Sequence, residues 1–392
     1  MRGAVIVSGA RTAFGKFGGM YRNIKASDLG AAALRGAIER SGVAPTQVEQ
    51  VIMGMAIQAG TGQIPSRQAS IAAGLPGSVP SETINKVCAS GMRAIALAEQ
   101  CIRVGDGDII AAGGMESMTS APFAVHSARW GIRMGNSEMT DLMMHDGLLC
   151  AFEGVPMAAH GDHTASLYGI TREEQDEWAL RSHSQAVSAL WQGRLAEEIV
   201  PVTTETGAVD TDECPRPDTS AAKLAKLRPI TLANQTNGTI TAGNAPGVND
   251  GAAALLLMSE KAANNGGHVP LASIIGHVSV SMAPNELAEA PARAIRKLLQ
   301  QTGVSLADID LFEVNEAFAV VVLTCGRLLN WDASKVNVNG GAIAIGHPLG
   351  ASGARIVLTL AYELRRRGGG LGIAAICSGG GQGDAMLIRV DG

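Results

Sequence analysis

An internal repeat constrains this chain more than any other feature: at an offset of about 260 residues, the second half echoes the first. Ser41-Gly42-Val43 followed by Val48-Glu49 returns as Thr302-Gly303-Val304 followed by Ile309-Asp310. Ala89-Ser90-Gly91 with Arg93 returns as Ala351-Ser352-Gly353 with Arg355. Ile109-Ile110-Ala111-Ala112 before Gly113-Gly114 returns as Ile373-Ala374-Ala375-Ile376 before Cys377 and Gly379-Gly380. Two halves with the same landmarks in the same order share one fold. A site is then expected where equivalent loops of the two halves face each other.

Within the first half, apolar patterning alternates between strand and helix periods. Residues 3–9 read as a strand, 27–41 as a helix, 48–56 as a strand, 63–73 as a helix, and 109–112 as a buried strand. This is the signature of an α/β layer with a partly parallel sheet. From residue 121 to 247 the rhythm breaks into polar, irregular sequence. That stretch holds one clear helix, from Thr171 to about Gly193, opened by a capping box at Thr171-Arg172-Glu173-Glu174. It also holds the cations Arg216, Lys223, Lys226 and Arg228, which suit either the solvated face of a short helix or a phosphate contact. Ordinary loops run about 4–6 residues, so an excursion of this length is expected to be functional. The chain thus divides into a first α/β domain (1–120 with 248–270), an inserted loop domain (121–247), and a second α/β domain (271–392).

Composition excludes several classes. With 46% hydrophobic residues, 17% charged residues and a net charge of −5, the chain has ample core and no basic tract. Nucleic acid or an anionic membrane is therefore not the expected partner. No run approaches the roughly 18 apolar residues of a spanning helix. The opening apolar run meets Gly9-Ala10-Arg11-Thr12 at once and reads as a first strand, not a signal peptide. Cys88, Cys101, Cys150, Cys214, Cys325 and Cys377 are scattered, without C-x-x-C or zinc spacing, which suits a reducing, cytoplasmic setting. His160-Gly161-Asp162-His163 is the nearest thing to a metal motif; it lacks a third clustered ligand, and no metal is expected.

Chemistry concentrates at the ends of strands. Residues 82–87 alternate as a half-buried strand, and Met92, Ile95, Glu99 and Ile102 follow at helical spacing, so Cys88 lies where a strand hands over to a helix. Unpaired N–H groups and the helix dipole favour an anion there, which predicts a thiol more readily ionised than one in a core and so a nucleophile. The second half supplies Asn315-Glu316-Ala317-Phe318-Ala319, then Asn337-Val338-Asn339-Gly340-Gly341 through Gly346-His347-Pro348, then Cys377-Ser378-Gly379-Gly380-Gly381-Gln382-Gly383. The repeat puts His347 almost opposite Cys88, as a base. The glycine-rich loops lack Gly-Lys-Ser/Thr, and no Gly-x-Gly-x-x-Gly follows the first strand, so neither a P-loop nor a dinucleotide site is expected. Glycines beside Cys377 would instead bring backbone N–H groups close to a reacting oxygen.

Asn85-Lys86-Val87-Cys88-Ala89-Ser90-Gly91, Gly113-Gly114-Met115-Glu116-Ser117-Met118, Asn315-Glu316-Ala317-Phe318, Asn339-Gly340-Gly341-Ala342 through Gly346-His347-Pro348, and Cys377-Ser378-Gly379-Gly380-Gly381-Gln382-Gly383 together resemble the thiolase family, over the whole chain and in order. The resemblance implies two similar αβαβα-layered domains plus the loop domain, and within the family it is strongest to the acetyl-CoA acetyltransferases. It implies that Cys88, deprotonated with help from His347, takes the acetyl group of acetyl-CoA, and that Cys377 removes a proton from a second acetyl-CoA to give acetoacetyl-CoA and CoA. It places His347 and a water held by Asn315 at one thioester oxygen, and the N–H groups of Cys88 and Gly379 at the other.

For CoA the resemblance nominates Leu148, Met157, Arg216, Ala242, Gly247, Ala317 and Phe318, with no permanently bound cofactor and a homotetrameric assembly. Three positions depart from the family pattern. Pro156 stands for a usual His, Pro246 for a usual Ser, and Leu287-Ala288-Glu289-Ala290-Pro291 for a usual Met-Gly-x-Gly-Pro. A proline offers neither a side-chain hydrogen bond nor an N–H. Two other readings stay open: a degradative 3-ketoacyl-CoA thiolase acting on longer chains, and a non-catalytic acyl-CoA or lipid-binding protein. Ketoacyl synthases also pair Cys with His, but a second cysteine such as Cys377 argues against them.

Overall fold

A computed structural model describes residues 3–230 and 238–392. The elements used below are β1 (Ala4–Thr12), α1 (Ala26–Ser41), β2 (Gln50–Gly54), α2 (Pro65–Ala72), β3 (Ser81–Ile84), α3 (Ser90–Val104), β4 (Ile109–Ser117), α4 (Met157–Tyr168), α5 (Arg172–Trp191), β5 (Asn249–Ser259), β6 (Ala272–Ser281), α6 (Ala290–Thr302), β7 (Leu311–Val314), α7 (Ala319–Leu329), α8 (Leu349–Arg366), β8 (Gly370–Ser378) and β9 (Gln382–Val390). Strand β4 is longer than its apolar run: Gly113-Gly114-Met115-Glu116-Ser117 continues the ladder, pairing with Asp250 through Ala254. Glycine serves there because a side chain on Gly114 would collide with the Gly350 carbonyl.

The sheet explains the repeat. Its order is β7-β8-β9-β6-β1-β5-β4-β2-β3. Reading outwards from the centre, β6-β9-β8-β7 mirrors β1-β5-β4-β2. The halves meet through two residue pairs, Val5 with Ser273 and Ile6 with Ala272. Parallel pairing joins β2 with β3 and β4, and β7 with β8, on the flanks, and a short segment of the excursion, Ile199 and Val200, runs parallel to the end of β1 at Arg11 and Thr12; the central pairs among β1, β4, β5, β6, β8 and β9 are antiparallel. The repeated Ser-Gly-Val and Thr-Gly-Val end equivalent helices: Gly42 after α1 and Gly303 after α6 adopt φ of 71° and 72°, the left-handed stop that glycine adopts without strain.

Three apolar clusters set the layers. One lies between the halves around α3 and α8, joining Met92, Ile95 and Ile102 to Ile356, Leu360 and Leu364. A second packs α1 and α2 on the outer face of the first half, and a third packs α6 and α7 on the outer face of the second. The order through the molecule is therefore helix, sheet, helix pair, sheet, helix. The repeated Ala-Ser-Gly marks where α3 and α8 cross. A Cβ on Gly91 would lie 2.7 Å from the Gly350 carbonyl oxygen, and one on Gly353 2.5 Å from the Met92 nitrogen.

Residues 118–248 leave this frame between β4 and β5 and return to it. The capping box forms: Thr171 accepts from the Glu174 N–H, and Glu174 accepts from the Thr171 N–H. Among the described residues, no helix is long and apolar enough to cross a membrane, and no group of three or more His, Cys, Asp or Glu side chains is placed to hold a metal. Asp162 instead accepts the N–H groups of Thr239 and Ile240.

Candidate active site

The loop before α3 is held on both sides. The Asn85 amide donates to the Ala56 carbonyl at 3.0 Å and accepts the Val87 N–H at 3.0 Å. Ser90 Oγ accepts the Lys86 N–H at 2.8 Å and donates to the Val87 carbonyl at 2.6 Å. Between these bonds Val87 is forced to φ of 45°, an uncommon conformation for a β-branched residue. The strain turns the chain sharply and presents Cys88 at the head of α3. From the other half, Lys86 Nζ donates to Asp384 at 2.5 Å and Ser279 at 3.0 Å, and Ser378 Oγ donates to the Lys86 carbonyl at 2.5 Å.

His347 enters from the head of α8. Its N–H donates to Asn249 Oδ1 at 2.8 Å. Its Nδ1 lies 2.6 Å from Ser352 Oγ, whose own proton goes to the Pro348 carbonyl at 2.8 Å. Ser352 is therefore the acceptor, Nδ1 carries the hydrogen, and the Nε2 lone pair is left for chemistry. The Asn315 amide nitrogen sits 3.4 and 3.5 Å from the two ring nitrogens, and Asn315 Oδ1 has no hydrogen-bond partner among the described residues. Burial, with the nearby Arg355 charge, pushes His347 down to about 3, so the resting ring is neutral.

Cys377 is the second-last residue of β8, buried, and Gly379 follows Ser378 in the turn. Burial holds the Cys377 thiol well above its ordinary range, and the neighbouring Cys88 adds to the rise. Cys88 departs from the expectation drawn from its helix position. Burial pushes it up to about 12; the N–H groups of Gly379 and of Cys88 itself favour the thiolate, while the Glu116 charge opposes it. Desolvation outweighs the helix N-terminus here, and the resting residue is a thiol.

Cys88, His347, Cys377 and Gly379 line one cavity of about 310 Å³, together with Leu148, Met157, Gly247, Ala317 and Phe318. Pro156, Pro246 and Leu287, the three departures, are also in its wall. Asn315 lies behind His347 and does not line the cavity. Arg216 and Ala242 line an adjoining cavity of about 200 Å³ with His183 and Cys214, which shares Ala245, Gly247 and Val248 with the first. Lys223 of the cationic cluster is paired on the surface with Asp218 at 2.5 Å. The resemblance also set CoA against the Gly243-Asn244-Ala245 turn, and Ala245 is in the main wall; sequence reasoning missed Val87, Met118, Met144, Gly147, Ala158, Ile230, Val248 and Leu349 there. Val87 and Met118 sat inside the quoted motifs and Leu349 directly follows Gly346-His347-Pro348; Met144 and Ile230 lie in the irregular excursion and carried no signal.

Comparison with known proteins agrees with this geometry. Residues 4–261 match the family model "Thiolase, N-terminal domain", and residues 268–390 match "Thiolase, C-terminal domain". The chain is 46% identical over 396 residues to an acetyl-CoA acetyltransferase of Pseudomonas aeruginosa, covering all of both chains. It is 47% identical over 394 residues to one of Escherichia coli, covering 99% of each. The crystal structure of the Bacillus anthracis acetyl-CoA acetyltransferase superposes with a TM-score of 0.96 at 42% identity, covering 99% of both chains. With two family models spanning nearly its full length, and relatives at this identity, the chain belongs to the thiolase family.

Proposed function

We propose that this protein condenses two molecules of acetyl-CoA reversibly to acetoacetyl-CoA and CoA, through an acetyl-Cys88 intermediate. The observation that carries the reading is the convergence of two thiols, a neutral imidazole with a free Nε2 and the Gly379 backbone on one largely apolar cavity. Because the Cys88 thiol is held up and His347 down, no thiolate–imidazolium pair exists at rest. The thiol proton moves to Nε2 as sulfur attacks the thioester carbon. The departing CoA thiolate needs a proton. Cys377 holds one at rest, so it protonates CoA and is left as the thiolate that removes a proton from the methyl group of the second acetyl-CoA. The resulting carbanion attacks acetyl-Cys88, and the Cys88 thiolate leaves and recovers its proton.

A thiolate is a weak base for a C–H proton, so the enolate oxygen must be stabilised. Each well-placed donor contributes about 2.7–4 kcal/mol. In this reading His347 and a water on Asn315 serve the enolate, and the N–H groups of Cys88 and Gly379 serve the acetyl-enzyme oxygen. Leu148, Met157, Gly247, Ala317 and Phe318 hold the pantetheine, and Arg216 and Ala242 contact CoA from the adjoining cavity. CoA thioesters are the ligands, with no resident cofactor. The reading also takes the chain as a cytoplasmic homotetramer with separate first, loop and second domains. Exposed Trp130, Met134 and Met139 on the excursion support self-association.

The test is thiolysis of 3-ketoacyl-CoA substrates from four to sixteen carbons, by intact protein and by Cys88→Ser. A preference for acetoacetyl-CoA that vanishes in the variant supports the reading. Activity rising with chain length assigns the protein to long-chain cleavage, and no thiolysis by folded protein leaves acyl-CoA binding alone.

A further inference from the structure

The repeat carries the catalytic cleft onto a second place in the molecule. Ala89-Ser90-Gly91 is equivalent to Ala351-Ser352-Gly353, so Cys88 is equivalent to Gly350. In the ladders, Ser117 pairs with Asp250 at the start of β5, and Ser378 pairs with Gln382 at the start of β9. One residue earlier on each strand, Glu116 is equivalent to Cys377; the ladders thus correct the sequence alignment of these strands by three residues, setting Ile109 against Gly370 and not Ile373, because matching the apolar runs ignored where each strand ends. The two parallel pairs agree: Gly54 faces Gly114 as Val314 faces Ala375. The cleft between Cys88 and Cys377 therefore has a twin between Gly350 and Glu116. In that twin the Gly350 N–H, at the head of α8, donates to Glu116 Oε2 at 2.8 Å. The Ala56 N–H joins the same oxygen at 2.8 Å, and the Ile57 N–H reaches Oε1 at 3.1 Å.

Glu116 is fully buried, and among the described residues no cation is paired with it. Three backbone donors offset part of the cost of burying such a carboxylate, yet burial outweighs them and pushes Glu116 up to about 7, with the Asp250 charge adding to the rise. Where the working cleft leaves its helix-head N–H groups for a substrate oxygen, the twin has a side chain of the protein seated on them. The seat joins both catalytic loops. Through Ala56 it reaches Asn85, which holds Val87 beside Cys88. Through Gly350 it reaches the first turn of α8, which carries Ser352, the partner of His347 just ahead of the helix.

We propose that Glu116 is a positioning residue of the catalytic centre, an internal carboxylate seated in the twin of the Cys88–Cys377 cleft that sets the Cys88 loop against the His347 loop. The inference rests on the roles proposed for Cys88 and His347, and it can fail separately from them.

Two variants test it. Glu116→Gln keeps the shape but removes the charge and turns an amide N–H towards a backbone N–H. Asn85→Ala cuts the Ala56-to-Val87 link at an exposed position and leaves the carboxylate alone. Two readouts are taken on intact protein: kcat and KM for thiolysis of acetoacetyl-CoA, and the rate of iodoacetamide alkylation at Cys88, followed by peptide mass spectrometry. In both variants kcat falls by about tenfold or more, because small misplacements of reacting groups are costly, with KM within about twofold of the parent. Glu116→Gln also speeds Cys88 alkylation, by a small factor, since burial still holds the thiol up and only the added Glu116 charge is gone. Alkylation requires no turnover, so an inactive parent protein would sink the functional reading while the alkylation shift is still read. If Glu116→Gln does not fold, the kcat of Asn85→Ala decides. The proposal is overturned if either folded variant keeps the parent kcat within about twofold, or if the loss appears as a rise in KM with unchanged Cys88 alkylation.

Discussion

The two halves share strands and helices but differ in one connection. In the first half the chain leaves β4 at Ser117 and takes up the β4 ladder again only at Asn249, touching the sheet on the way where Ile199 and Val200 pair with Arg11 and Thr12 of β1; in the second, β8 and β9 are joined across residues 379–381 alone. That tight turn requires glycine: Gly380 and Gly381 have φ of 78° and 69°, and a Cβ on Gly381 would come 2.5 Å from the Ala283 carbonyl oxygen. The turn delivers the Gly379 N–H to Cys88. The long connection delivers no reacting group and supplies apolar wall, including Met144, Leu148 and Met157. One scaffold thus separates reaction from recognition. Acyl preference can drift in residues 118–248 while the chemistry stays on sheet ends and helix heads.

The sharpest break of this comparison exchanges its two thiols. Cys88→Ser and Cys377→Ser are each expected to lower turnover on the order of a thousandfold or more. They differ in what remains: Cys377→Ser still accumulates acetyl-enzyme by intact-protein mass spectrometry, and Cys88→Ser does not. If both became acetylated equally, the division of labour between the halves would be wrong. Next in size is the bridge between the halves. Lys86→Met leaves Asp384, fully buried, without its cation, and should destabilise the fold by about 3 kcal/mol, read by denaturant midpoint. The symmetric crossing comes third. Gly91→Ala and Gly353→Ala should each cost about 1–3 kcal/mol and by similar amounts, because each Cβ meets the opposing backbone. A large inequality would place the crossing off the repeat's axis.

The smallest effect is in pH. His347 sits at about 3 in the fold against an ordinary value near 6.5. As pH falls from 6.5 towards 3 the unfolded chain takes up a proton that the folded chain refuses, so this group's contribution to stability is lost over that window. His347→Asn removes the loss. Going from pH 7.5 to 5.5, the variant should lose roughly 1 kcal/mol less than the parent, measured by thermal or urea unfolding.

Much of this architecture was legible in advance, for physical reasons. Ala-Ser-Gly recurs because two helices can cross at contact distance only without a Cβ, and Gly42 and Gly303 recur because each stops a helix. Cys88, His347 and Cys377 stand out because strand ends and helix heads leave backbone groups unpaired. The resting state of Cys88 was not legible. A helix head lowers a thiol pKa and burial raises it, and only packing decides which wins. Nor were Ser352 as the acceptor for His347, Asn249 as the holder of its backbone, or the seat of Glu116, since each joins residues distant in sequence. Residues 118–248 were the least readable because their shape answers to a ligand-sized space and not to a period.

The place of β5 has a consequence for how the chain is made. It lies between β1 and β4, pairing Ala4 with Ser259 on one side and Ser117 with Asp250 on the other. During synthesis, the first and fourth strands emerge with their central ladder partner still untranslated, and two sheet edges stay open until residue 259 clears the ribosome. Such distant pairings also slow closure. The hazard for this protein is therefore kinetic and early: a nascent chain halted within residues 118–248 carries a complete nucleophile loop on an incomplete sheet, the form most apt to aggregate or to recruit a chaperone.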